Sequence, residues 1–169
     1  MRAIVNSLVR RGAAATAVAL LAAAPASGGP RAPAPPAQQG CTGPESPVRL
    51  YVNVSGVRAA QGLLAVTLYA DIRSKFLVKK GSMYTGRVPA SAPSARICIH
   101  VPRTGYYAIA MYHDADSSLK LNRSGLGLPA EGFGFSNNAP TLFGLPSFDK
   151  VRFNVPRDGA EISIKMKYP

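Results

Sequence analysis

From Val48 to the C-terminus, apolar and polar side chains alternate with a period of two, the pattern of β-strands that bury one face. "VRLYVNV" sets Val48, Leu50, Val52 and Val54 against Arg49, Tyr51 and Asn53. "LLAVTLYA" places Leu64, Val66 and Leu68 on one side. "SARICIHV" sets Ile97, Ile99 and Val101 against Arg96, Cys98 and His100, and "YYAIAMYH" aligns Tyr107, Ile109 and Met111. "DKVRFNV" continues with Val151, Phe153 and Val155. "AEISIKMKY" ends the series, with Ile162, Ile164, Met166 and Tyr168 inward and Lys165 and Lys167 outward. A weaker strand falls at "YTGRVPA", and "DIRSKFLVKKG" reads as one or two helical turns on the rim. The turns "SGVRAAQG", "VPRTGY" and "VPRDGA" punctuate the strands; the last two lead from Val-Pro-Arg into a glycine turn and predict hairpins between neighbours. Six or seven short strands in about 130 residues predict an all-β fold, an antiparallel β-sandwich with one long irregular loop, a closed barrel being the alternative. With no tryptophan, the core must be aliphatic with Tyr and Phe.

The start of the chain is of another kind. Arg2, Arg10 and Arg11 precede an apolar, alanine-rich run from Gly12 to Ala24, shorter than the about 20 residues a membrane helix needs. Ala24 and Ala26 have the A-x-A spacing of a leader cleavage site, so residues 1–26 read as a signal peptide cut before Ser27. The Arg pair lacks the Phe-Leu of a twin-arginine signal, and Cys41, preceded by "QQG" far from the apolar run, forms no lipid-attachment site. Residues 27–40 are rich in Pro, Ala and Gly and read as a disordered linker, leaving 41–169 as a single sandwich domain. The expected location is outside the cytoplasm, in a periplasm or the medium.

In that setting the two cysteines, Cys41 and Cys98, predict one disulfide closing a loop of about 58 residues. It fastens the start of the domain to a central strand. A zinc or thiol chemistry would need neighbours that are missing: there is no Cys-x-x-Cys, and His100 alone does not complete a site.

Three of the 20 basic side chains leave with the leader, so 17 face 8 acidic ones, a net of +9. They are scattered, with Lys79-Lys80 the one tight pair, whereas nucleic-acid binding clusters them on one element. No nucleic-acid partner is expected. An anionic envelope surface or polysaccharide is the partner class this balance favours, against a merely solvated surface. No membrane-spanning segment is expected in the mature chain.

One stretch breaks the rhythm: residues 113–148, "HDADSSLKLNRSGLGLPAEGFGFSNNAPTLFGLPSF". Loops this long inside a compact domain are often functional. "YAIAMYHDADSSLKLN", "GLGLPAEGFGFSNNA", "PSFDKVRFNV" and "RICIHVP" resemble the exported bacterial family catalogued as domain of unknown function 2141. The resemblance runs from about Cys41 to the C-terminus and implies an exported single domain of immunoglobulin- or transthyretin-like sandwich type. It brings no catalytic residue, ligand or cofactor with it. Where that family shows Asn and Gly in its acidic loop, this chain has Ser117, Ser118 and Leu119.

Read as a calcium loop from Asp114, the segment offers Asp114, Asp116, Ser118, the carbonyl of Lys120 and Asn122 at positions 1, 3, 5, 7 and 9. Leu119 at position 6 and Gly125 at position 12 do not fit, and two carboxylates leave the ion under-neutralised unless Glu131 folds in. Asp114 and Asp116 as acceptors of backbone N–H bonds in a turn is the preferred reading, with no cofactor expected and calcium the alternative. In the motif His113 with Gly132, Phe133, Gly134, Phe135, Ser136, Asn137 and Asn138, the rings and glycines suit an edge seal and the Asn amides suit backbone groups; a shallow ligand groove is the alternative. Catalytic signatures are absent: no Gly-x-Ser-x-Gly, no phosphate loop, and no spacing that supports a Ser136–His113–Asp116 triad. The expected role is therefore a non-enzymatic sandwich that binds or organises an envelope component through residues 113–148. A hydrolase or metal-dependent enzyme using the same loop is the competing reading.

Overall fold

Most of the alternating runs become strands in the computed structural model, which describes residues 40–141 and 144–169. The expected signal peptide (1–26) and, apart from Gly40, the expected linker lie outside the described residues. The strands are β1 (Val48–Ser55), β2 (Leu63–Ala70), β3 (Tyr84–Pro89), β4 (Ser94–Val101), β5 (Gly105–Asp114), β6 (Phe133–Phe135), β7 (Phe153–Val155) and β8 (Ala160–Lys165). One sheet has the order β4-β1-β8; the other runs β3-β2-β5-β6, with β7 paired to β5 beside β6. The fold is a β-sandwich, with no barrel. Among the described residues no helix is long and apolar enough to cross a membrane.

The inward faces are the expected ones. Leu50, Leu64, Ile99, Ile109 and Ile164 are fully buried between the sheets, with Val52, Val66, Val101 and Val155. Burying each such side chain contributes about 1.5–3 kcal/mol.

The connectivity differs from the expected hairpins. Each of the three turns carries the chain from one sheet to the other: β1 to β2, β4 to β5, and β7 to β8. Pro102 and Pro156 have no N–H to continue a ladder, so the strand stops at the preceding valine and the chain crosses over. One consequence is that β8 lies parallel to β1, from Leu50 opposite Ala160 to Ser55 opposite Lys165, in a sandwich whose other pairs are antiparallel. The "DKVRFNV" run is also corrected. Phe148–Val151 forms one helical turn, α1, and only Phe153–Val155 is strand.

That turn has a purpose in the packing. Phe148 and Val151 lie on the outer face of the larger sheet with Tyr69, Ala108, Phe135 and Ala139, a second apolar cluster completed by Phe76, Leu77, Ala110 and Phe133. The Phe76 ring stands edge-on to Tyr69 at 5.2 Å and lies 5.6 Å from Phe148. Phe76 belongs to the β2–β3 connection, whose helical content is a single 3-10 turn at Arg73–Lys75. Burial in this cluster pushes the Tyr69 hydroxyl pKa up. Two ion pairs tie the same connection to α1: Arg152 grips Asp71 through two bonds of 2.6 and 2.5 Å, and Arg73 grips Asp149 at 2.7 and 2.6 Å.

Cys41 and Cys98 form the expected disulfide. It pins the segment before β1 along the outside edge of β4, where Thr42 donates its N–H to Cys98 O at 2.9 Å and accepts from the His100 N–H at 2.9 Å.

Candidate functional site

The long segment after β5 divides into two parts with different jobs. The first begins at Asp114, the fully buried last residue of β5. Its Oδ1 accepts the Ser118 N–H at 2.9 Å and its Oδ2 the Leu119 N–H at 2.9 Å. Asp116 accepts the Ser118 N–H at 3.1 Å and the Asn122 amide at 2.7 Å. Glu131 folds in from the far side and accepts the N–H groups of Ala115 at 3.2 Å and Asn122 at 3.0 Å. This is the turn-capping arrangement expected of Asp114 and Asp116, and it holds Ser117 and Leu119 in left-handed backbone, with φ of 55° and 63°. The Ser118 side chain first, then Asn122 and the Ser118 N–H, keep the Asp116 carboxyl below the usual carboxylate range.

Oxygens of Asp114, Asp116 and Glu131 come within 4.8 Å of one another, so three carboxylates rather than two converge. Ser118 Oγ and the Lys120 carbonyl bond each other at 3.2 Å, and Asn122 turns its N–H, not its oxygen, toward Asp116. Each carboxylate already serves N–H donors. Millimolar calcium is accordingly expected to leave the melting temperature unchanged, while Asp114→Ala lowers stability by about 1.5–3 kcal/mol with or without calcium, as loss of hydrogen bonds to a charged acceptor does. A calcium-dependent rise in melting temperature that Asp114→Ala abolishes would make the turn a calcium clip instead.

On this base stands a finger. Ala130 donates to Asn122 O, Ser124 to Leu128 O and Gly127 to Ser124 O, each at 2.8 Å. Arg123 Nη1 bonds the Gly127 carbonyl at 2.8 Å, bracing the tip. Leu126 at the tip is 88% exposed and Leu128 62%. Arg87 of β3 reaches the Leu119 carbonyl at 3.2 Å and ties the finger's base to the sheet.

The second part, Gly132–Asn138, stitches the two sheets together. Phe133 exchanges two backbone bonds of 2.8 Å with Lys167, just beyond β8. Phe133 and Phe135, 6.1 Å apart, face outward into the second apolar cluster, so they seal the larger sheet under α1 and the β2–β3 connection, away from the finger. Gly134 faces inward, where a methyl group would lie 2.6 Å from Ile164 Cγ2. Gly132 has the Tyr168 ring against the side a Cβ would occupy. Ser136 is fully buried; its Oγ–H donates to Val151 O at 2.5 Å and its oxygen accepts the Ile109 N–H at 3.0 Å. Asn137 donates to the carbonyls of Lys150 at 3.1 Å and Arg152 at 2.8 Å. Asn138 accepts the Lys165 N–H at 2.7 Å and donates to Ser163 O at 3.4 Å, so its amide occupies the free edge of β8 as a peptide group would.

His113 is buried, with both ring nitrogens engaged. Its Nε2 bonds the Gln61 carbonyl at 2.8 Å, which fixes the proton there, and its Nδ1 takes the Tyr168 hydroxyl proton at 2.8 Å. Tyr168 in turn accepts the Arg58 N–H at 3.1 Å, and the Arg58 guanidinium lies 4.3 Å over its ring. Nothing in the sequence signalled this link, because Tyr168 follows His113 by 55 residues and reads as one more inward strand residue. Ser136 bonds to Ile109, four positions from His113 along β5 and so about 13 Å away. A triad of Ser136, His113 and Asp116 is not assembled.

Residues 52–163 match the family described as "Uncharacterized protein conserved in bacteria (DUF2141)". The chain belongs to the DUF2141 family. No curated protein and no solved structure matches it. In this DUF2141 chain the matched span runs from Val52 within β1 to Ser163 within β8 and contains the whole of the finger and the Gly132–Asn138 stitch. A pocket of about 250 Å³ lies elsewhere, where Pro44 and Ser46 meet Leu68, Met83, Tyr84 and His100. It is at the opposite end of β2 from the finger, and sequence reasoning did not point to it.

Proposed function

We propose that this DUF2141 protein is an exported, non-enzymatic sandwich that binds a component of the cell envelope through the Asn122–Ala130 finger. The observation that carries the reading is the division of labour within residues 113–148. His113, Ser136, Asn137 and Asn138 spend their polar atoms on the protein's own backbone or on Tyr168. Leu126 and Leu128, by contrast, are held out in solvent by a braced turn. An apolar tip on a rigid base is the form of a recognition loop. The Cys41–Cys98 bridge supports an oxidising compartment.

The test is retention on envelope preparations, peptidoglycan, polysaccharide and outer-surface proteins in turn. The parent chain is compared with a variant in which Ser124–Leu128 is replaced by a Gly-Gly turn. We expect at least tenfold weaker retention for the variant with its thermal stability intact. Equal retention would remove the finger from the function. Hydrolysis of a supplied envelope substrate that Ser136→Ala abolishes would replace the whole reading with an enzyme.

A further inference from the structure

We propose that the end of the sandwich opposite the finger is a docking surface for anionic lipid bilayers, built on the β2–β3 connection. β2 pairs its first residue, Leu63, with Asp114 at the finger's root and its last, Ala70, with Tyr107. Eight residues of strand therefore separate the finger from residues 71–83, about 25 Å.

The connection is anchored from below and loaded on top. Phe76 and Leu77 turn into the second apolar cluster, and Asp71 and Arg73 are clamped to Arg152 and Asp149. What remains outward is of two kinds. Ile72 is 44% exposed, Val78 50% and Met83 47%. Between them Lys75, Lys79 and Lys80 are exposed and take part in none of the ion pairs among the described residues. Neighbouring turns at the same end add Arg103 and Arg157, against Glu45 and Asp158.

This pairing of chemistries selects the partner. Three lysines beside Asp71 and Asp149, both already paired with arginines, give a surface complementary to phosphate headgroups, and Arg103 and Arg157 balance Glu45 and Asp158. Aliphatic side chains interleaved with those lysines find no partner in a hydrated acidic polysaccharide, whereas they enter the headgroup–acyl boundary of a bilayer. Because Phe76 and the two ion pairs hold the segment, docking orders few side chains that are not already ordered. The finger then points away from the surface on which the protein sits. Docking at this end does not depend on what the finger binds.

The experiment is co-sedimentation of the full chain with vesicles of phosphatidylglycerol and phosphatidylcholine, and of phosphatidylcholine alone. Residues 1–40 are common to every variant, and partition of a peptide of residues 1–40 alone sets the background against which each variant is read. Lys79→Gln/Lys80→Gln should weaken partition onto the anionic vesicles by roughly thirtyfold, at about fivefold per cation near an anionic bilayer. Val78→Asp should weaken it as well, and Leu126→Asp at the finger should leave it unchanged. Partition of the parent onto anionic vesicles should fall as salt rises. Unchanged binding in the lysine variant overturns the proposal, as does loss on Leu126→Asp, which would move the contact to the finger. Displacement by a soluble acidic polysaccharide, together with indifference to Val78→Asp, would also overturn it and assign the lysines to a glycan.

Discussion

Reduction of the Cys41–Cys98 bridge is expected to lower the unfolding free energy by about 2–4 kcal/mol, out of about 4 kcal/mol that loop closure over 57 residues allows. The loss has a structural side beyond chain entropy. The bridge holds Thr42 against β4, and Thr42 supplies the partners of the Cys98 carbonyl and the His100 N–H on an edge that no strand covers. Behind it, Ser46 Oγ donates to the Val101 carbonyl at 2.5 Å and the Ser46 carbonyl meets His100 Nδ1 at 2.9 Å. Freed of the bridge, this strap frays and those groups return to water. Urea titrations with and without reductant read the effect as a shift of midpoint at nearly constant slope. Identical midpoints would mean that the strap holds by its hydrogen bonds alone. Intact-mass counting should find no free thiol in the unreduced protein.

Gly134→Val is the second large effect, expected to destabilise by about 3 kcal/mol or more, against about 1–2 kcal/mol for Ser136→Ala. The valine must fit where Ile164, itself fully buried, already sits, with the Lys165 carbonyl 3.2 Å from the new Cβ. Overpacking in a filled core costs about 1–3 kcal/mol where side chains can shift, and at this position the backbone of β8 blocks the shift. Ser136→Ala removes little volume, but it leaves the Ile109 N–H and the Val151 carbonyl unpartnered in a dry place. Thermal melts of both variants decide the order. Equal tolerance would contradict the role of the Gly-Phe-Gly-Phe stretch as the seam between sheets.

The sandwich was legible because its inward faces obey a period of two that no competing structure uses. Val48 to Val54, Ile97 to Val101 and Tyr107 to Met111 all pack as read. Less was legible where both faces of a strand are covered. "LLAVTLYA" and "YAIAM" are nearly continuous apolar runs, the mark of two-sided burial, and Ala65, Tyr69 and Ala108 do lie buried on the outer face. Alternation alone hid that second layer, and with it the reason Phe76, Phe148 and Val151 are where they are. Turn chemistry identified the breaks in the chain but not their direction, since Val-Pro-Arg followed by glycine suits a crossing between sheets as well as a hairpin. In the long segment, residue types gave the acidic turn its job but gave Glu131 a place only beside calcium, whereas it accepts the N–H groups of Ala115 and Asn122. The pairing of His113 with Tyr168 was out of reach, because it depends on β8 running parallel to β1.

The three-stranded sheet ends on both sides in something other than a strand. A strap held by a disulfide stops β4, and a single asparagine amide stops β8. A strand from another copy has nowhere to start on either edge of this sheet, so the sheet carries built-in protection against edge-to-edge polymerisation at high local concentration. That protection rests on two small groups, Thr42 and Asn138, neither of which carries a charge.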